Sequence, residues 1–105
     1  MDLFEVSKTE EMGAETIRIV LNLPEVGLTN LNDLSTLING EVSSNKSFAI
    51  DFKNVNAINS SGLGILIACL KKIKDSGGKL TLENLNNKIL NIFKITKLDL
   101  IFDIK

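Results

Sequence analysis

The segment from Phe48 to Asn84, FAIDFKNVNAINSSGLGILIACLKKIKDSGGKLTLEN, contains in order the signals of a strand, a helix and a second strand. "FAIDF" (48–52) is a short apolar run of strand length, and "KNVNAINS" (53–60) leads out of it. Over 61–75, Leu63, Leu66, Ile67, Leu70 and Ile73 recur at i, i+3, i+4 and i+7, the spacing of a helix with one buried face. Lys71, Lys72 and Lys74 near its end suit the negative pole of the helix dipole and read as a solvated helix end. Gly77 and Gly78 supply the left-handed residue that commonly closes a helix, and "KLTLEN" (79–84) alternates as a strand does. Two strands joined through a helix belong side by side and parallel.

The same units extend in both directions. Toward the N-terminus, "LFEVSK" (3–8) and "TIRIVLNL" (16–23) read as strands, with the polar "TEEMGAE" (9–15) as the turn of an antiparallel hairpin. Pro24 ends the second strand, and 23–30 reads as a loop with Gly27 at a turn. Thr29 or Asn30 is expected to cap a helix over 31–43, with Leu31, Leu34, Leu37 and Ile38 on its buried face. "SSNKS" (43–47) is a polar connection. Toward the C-terminus, "NNKILNIFKIT" (86–96) places Ile89, Ile92, Phe93 and Thr96 on one helical face, and "LIFDI" (100–104) reads as a last strand. The order β-β-α-β-α-β-α-β predicts a single α/β domain over 1–105. Its mixed sheet is mostly parallel, opens with a β-hairpin and has helices packed on it.

Composition narrows the function. The 105 residues carry a formal charge of −1 and five Phe but no Trp or Tyr. Direct nucleic-acid binding is disfavoured, because it needs clustered positive charge or stacking rings. There is no histidine, which removes imidazole general bases, Ser-His triads and imidazole metal sites. The single cysteine, Cys69, excludes an internal disulfide and reads as a buried, inert thiol. "MDLFEVSKTEE" (1–11) is acidic with no long apolar run, so a secretory signal is not expected, and no stretch approaches the ~20 apolar residues of a membrane span. A cytoplasmic location is expected. Neither a catalytic residue set nor a metal or cofactor site emerges, and the protein is not expected to be an enzyme.

"INSSGLG" (58–64) is the one stretch that asks for a functional account. Ser60 and Ser61 lie between a strand and a helix. As a cap, a serine there stabilises by about 1 kcal/mol, and Ser60→Ala would lose that much. The loop after a strand's carboxyl end is also where α/β sheets build sites, and a helix N-terminus tolerates an anion. Both readings stand. "GLG" falls short of a dinucleotide or phosphate-loop fingerprint. Two glycines early in a helix, Gly62 and Gly64, each cost up to about 1 kcal/mol and imply close approach, by a neighbouring strand or by a partner. Asp51 lies inside the third strand, close to where a receiver phosphoacceptor would follow it, but without an acidic pair to hold Mg²⁺ it reads as a solvent-facing or hydrogen-bonding strand residue.

The run from Phe48 to Ile104 resembles the STAS domain, and within it the bacterial anti-sigma factor antagonists (anti-anti-sigma factors). The likeness is carried by the strand, the "NSSGLG" turn, a helix with a lysine-rich end, Gly-Gly, a strand and the closing "NIFKITKLDLIFDI" (91–104). The resemblance implies regulation of transcription by partner switching. The unphosphorylated form binds an anti-sigma factor that is also a serine kinase of the histidine-kinase-like ATPase type. That kinase then phosphorylates a serine and release follows, while a serine phosphatase resets the cycle. By position the phosphorylated serine is Ser60, with Asn59, Ser61, Gly62, Leu63 and Gly64 shaping the loop and helix start that the partner contacts. The family usually carries Asp where this chain has Asn59. It also has an acidic segment after the second strand that contributes to the partner surface, and here "NLPEVGLTN" (22–30) offers only Glu25. A monomer is expected. The alternative implied by the same resemblance is a non-switching docking module, such as a small subunit of a transporter or signalling complex.

Overall fold

The computed structural model describes residues 4–11, 14–22, 24–26, 28–41 and 46–105. Strand β1 (Phe4–Glu11) pairs antiparallel with β2 (Ala14–Leu21) in unbroken register from Phe4↔Leu21 to Glu11↔Ala14. The expected turn at 9–15 is thus mostly strand. Ser7, Lys8, Thr9 and Glu10 are exposed, and the backbone ladder continues through them to Glu11↔Ala14, past the Thr16↔Ser47 pair at which the contact of β2 with β4 begins. Strand β2 ends at Leu21, and the turn residues 12 and 13 and the turn expected at Gly27 lie outside the described residues.

After the hairpin, helix α1 (Leu28–Glu41), strand β4 (Ser47–Asp51), helix α2 (Ser60–Asp75), strand β6 (Lys79–Glu83), helix α3 (Asn87–Ile95) and strand β7 (Asp103–Ile104) alternate as anticipated. The sheet order is β1-β2-β4-β6-β7, with β2, β4, β6 and β7 parallel. Every crossover therefore steps one strand in the same direction. Right-handed connections then lay all three helices on one face.

Residue register confirms this. Ile17, Phe48 and Leu80 lie side by side, as do Ile19, Ile50 and Leu82, and all six are buried in one core with Leu34, Ile38, Leu66, Ile73, Ile89 and Phe93. On the opposite face Arg18, Ala49 and Thr81 align, followed by Val20, Asp51 and Glu83; Ala49 and Asp51 are buried, but none of the six belongs to the hydrophobic cluster beneath the helices.

Helix ends and faces differ in detail from the sequence pattern. Helix α1 starts at Leu28, so Thr29 and Asn30 sit inside its first turn rather than capping it. Leu34 and Ile38 are buried and Leu37 half-buried, while the side chain of Leu31 and residues 42–45 of the polar connection lie outside the described residues. On α2, Ile67 is 38% exposed and Cys69 takes the buried position in its place. The stripe Leu63, Leu66, Cys69, Leu70, Ile73 leaves Ile67 at its margin. On α3, Ile89 and Phe93 are buried, Ile92 is half-buried, and Thr96 is an exposed cap whose hydroxyl donates to the Ile92 carbonyl at 2.7 Å.

The last strand is shorter than its apolar run suggests. Lys97 adopts a left-handed conformation (φ 62°), a 3-10 turn follows over Leu98–Leu100, and pairing resumes only at Asp103. The turn points Phe102 inward, edge-on to Phe93 at 5.5 Å between ring centroids, and leaves Leu100 and Ile101 exposed.

A short parallel pair was not anticipated. Strand β3 (Glu25–Val26) pairs with β5 (Ala57–Ile58) beside the main sheet. Two-residue strands carry no alternation for a sequence pattern to reveal.

Helix α2 closes in a Schellman motif. Gly77 has φ 84°, its N–H donates to the Lys74 carbonyl at 3.0 Å, and the Gly78 N–H donates to the Ile73 carbonyl at 2.9 Å. A Cβ on Gly78 would run into the backbone oxygen of Lys46, whereas one on Gly64 would meet nothing. Gly78→Ala is therefore expected to destabilise by about 1–3 kcal/mol and Gly64→Ala to stabilise by up to about 1 kcal/mol. Urea denaturation of the two variants beside wild type checks both signs.

Candidate functional site

The three parallel strands β2, β4 and β6 end at one edge, and polar side chains lock the loops there together. Asp51 closes β4 and is 3% exposed, which corrects the solvent-facing alternative and leaves the hydrogen-bonding one. Its Oδ1 accepts from the Lys53 N–H at 2.8 Å and from Asn84 Nδ2 at 3.1 Å, and Arg18 donates to its Oδ2 at 3.4 Å. Arg18 also pairs with Glu83. Burial pushes the Asp51 carboxyl up, but the Lys53 amide, the Asn84 amide and the nearby cations more than offset it, so the group sits below the ordinary carboxylate range. Asn84 reaches it from a left-handed conformation (φ 58°) just after β6.

One step further along, the Pro24 carbonyl accepts from the Asn56 N–H at 2.7 Å and the Ala57 N–H at 3.1 Å. Asn86 caps α3 by accepting from the Ile89 N–H at 2.9 Å, and its amide donates to the Val55 carbonyl at 3.1 Å. Asn54 donates to Asn22 at 2.8 Å. Val55 and Ile58 anchor the segment in the core. These bonds position the turn that opens α2.

In that turn Asn59 caps the helix. Its backbone is extended (φ −102°, ψ 175°) and its Oδ1 accepts from the Gly62 N–H at 2.9 Å, while the first helical bond runs from the Leu63 N–H to the Asn59 carbonyl. This corrects the expectation that the serines cap. Ser60 and Ser61 are the first two helical residues, both exposed, and among the described residues neither hydroxyl takes a partner. Gly62 and Leu63 are buried, so they set the helix against the core, whereas Gly64 is exposed. With open space above Gly64, no neighbouring strand demands a glycine there. Glu25 pairs with Ala57 across the β3–β5 ladder, which brings the loop after β2 next to the α2 turn.

Lys71, Lys72 and Lys74 are exposed on the end of α2 as expected. Cys69 is buried, and its burial pushes the thiol pKa up, partly countered by a bond with Ser35. Among the described residues no group of acids, thiols or imidazoles could hold a metal ion, and no helix is long and apolar enough to cross a membrane. Sequence reasoning missed the roles of Asn84, Asn86 and the Pro24 carbonyl. An Asn ahead of a helical run signals a cap, but its second bond, to a segment some thirty residues away, has no local signature.

Residues 24–105 match the family described as the STAS domain. The chain belongs to that family. A stretch of 55 residues is 42% identical to the anti-sigma-B factor antagonist of Bacillus subtilis (strain 168), covering 52% of this chain and about half the length of that relative (50%). Among solved structures, the Planctomyces limnophilus anti-sigma-factor antagonist (STAS) domain protein superimposes with a TM-score of 0.74 at 17% identity, covering 94% of this chain and 87% of that one. The phosphorylated form of the Bacillus cell fate determinant SpoIIAA does so with a TM-score of 0.67 at 19% identity, covering 97% and 90%.

Two measurements test the geometry. Asn59→Ala should cost about 1 kcal/mol in urea denaturation and Asn59→Asp almost nothing, while Ser60→Ala stays within about 0.5 kcal/mol of wild type because Ser60 is not the cap. The Asp51 carboxyl has a folded pKa below its unfolded one, so its contribution is complete above the unfolded value near ~3.9 and is lost as the pH falls through the lower folded value. Asp51→Asn is expected to be less stable at pH 7 and to lose less stability than wild type between about pH 5 and pH 2.

Proposed function

We propose that this STAS domain is a cytoplasmic anti-sigma factor antagonist, switched by phosphorylation of Ser60. The observation that carries the reading is the division of labour at the start of α2. Asn59 satisfies the helix end, so the exposed Ser60 hydroxyl is spare. The unphosphorylated protein binds an anti-sigma factor that is also a serine kinase of the histidine-kinase-like ATPase type, across a surface that includes Asn59, Ser61, Gly64 and the neighbouring Glu25. That kinase transfers the γ-phosphoryl group of ATP to Ser60 Oγ, the hydroxyl proton leaving to a base on the kinase. The chain itself needs no base, in keeping with its lack of histidine.

The product suits this position internally and not externally. At the first residue of a helix, the free N–H groups and the dipole stabilise about two added negative charges. On a surface already pressed against a partner, the same charges and bulk oppose binding. A hundredfold difference in affinity between the two forms needs only about 2.7 kcal/mol. A serine phosphatase reverses the step. The closeness of the fold to the phosphorylated form of SpoIIAA, and the 42% identity to an anti-sigma-B factor antagonist, support the reading.

Intact-mass measurement and phosphosite mapping of the protein from its native cells test it. A phosphate on Ser60 that phosphatase removes is expected. Ser60→Ala should hold the co-purifying kinase, and Ser60→Asp should bind it at least about tenfold more weakly. Equal binding by the two variants, with no phosphate on Ser60 under any growth condition, would overturn the switch in favour of constitutive docking.

A further inference from the structure

We infer that Asn86 is a positioning residue for the Ser60 turn, an assignment whose functional half rests on the switch proposed above. The turn is not paired into the main sheet. Strand β5, which delivers it, is two residues long and, among the described residues, pairs with the equally short β3. Val55 and Ile58 anchor it in the core, and two polar attachments fix residues 55–57. One is the Pro24 carbonyl, which takes both the Asn56 and Ala57 N–H groups. The other is Asn86. Its Oδ1 is committed to the Ile89 N–H at 2.9 Å, which turns its Nδ2 toward the Val55 carbonyl at 3.1 Å, with the Asn56 carbonyl at 3.5 Å.

A single side chain thus caps the start of one helix and tethers the approach to the other. Helix α3 packs against β5, so the tether fixes α3 and the Ser60 turn as one unit. Asp would cap α3 as well as Asn does, and Ser nearly so, but only Asn at this place both accepts from Ile89 and donates to Val55. The residue type is explained by the tether, and the cap alone does not require it.

This separation gives the test. Asn86→Asp keeps the cap acceptor and turns a carboxylate oxygen toward the Val55 carbonyl. Asn86→Ser keeps a neutral cap without the reach. Both should melt close to wild type, while hydrogen exchange at the Asn56 and Ala57 amides, read by NMR, accelerates about tenfold. Phosphate occupancy of Ser60 in native cells, measured by intact mass, should fall at least about threefold in both. Asn87→Asp, which adds charge to the same helical turn at an exposed residue, should leave both readouts unchanged. Unchanged exchange in both Asn86 variants would overturn the tether. Faster exchange with undiminished Ser60 phosphate would overturn its functional half. If wild type itself carries no Ser60 phosphate, the switch fails, and the exchange rates still decide the role of Asn86.

Discussion

Handedness is the constraint on which the rest of this structure depends. From β2 onward each strand is added on the same side of the one before it. A right-handed crossover can then place its helix on one face only, and three such crossovers place three helices there. The sheet is consequently half-covered. Its inner face carries Ile17, Ile19, Phe48, Ile50, Leu80 and Leu82 in register, and its outer face carries Arg18, Thr81 and Glu83. The same repetition brings the carboxyl ends of β2, β4 and β6 to one edge, where the loops leading into the helices gather.

At that edge the Asp51 carboxylate has been taken from water and needs partners. Asp51 supplies the first set of bonds, accepting from Lys53, Asn84 and Arg18 and so joining β2, β4 and the end of β6. Pro24 and Asn86 supply the second, holding residues 55–57 between the loop after β2 and the start of α3. The α2 turn rests on this framework. Its placement is thus set by residues far from it in sequence, and a one-sided sheet provides the edge on which they meet.

Within the turn, the chemistry is divided between neighbours. Asn59 meets the helix's need for an acceptor, Gly62 and Leu63 meet the core, and Ser60, Ser61 and Gly64 are exposed, the two hydroxyls without a partner among the described residues. Asn ranks with Asp as a cap, so the departure from the family's usual residue leaves the local geometry intact while removing a charge beside Ser60. Gly64 costs helix stability although a Cβ there would meet nothing inside the domain.

Much of this was legible in the chain itself. Periodicity revealed the three helices and the core residues Leu34, Leu66, Ile73, Ile89 and Phe93, because burial on one side imposes a helical repeat that needs no knowledge of the partner surface. The strand-helix alternation implied the parallel sheet, the Gly77–Gly78 pair marked the end of α2, and the "NSSGLG" motif located the candidate site. Tertiary structure alone decided the rest. Whether Asn59 or Ser60 caps α2 turned on where the backbone enters the helix, since both residue types can do it. The β3–β5 ladder is too short to leave a pattern, and the final strand was cut to two residues because Phe102 turned inward against Phe93. The Arg18 and Asn84 partners of Asp51 and the Val55 partner of Asn86 lie some thirty residues away, and a hydrogen bond across that separation is chosen by the fold that brings its ends together, while local sequence records only that a polar side chain is present.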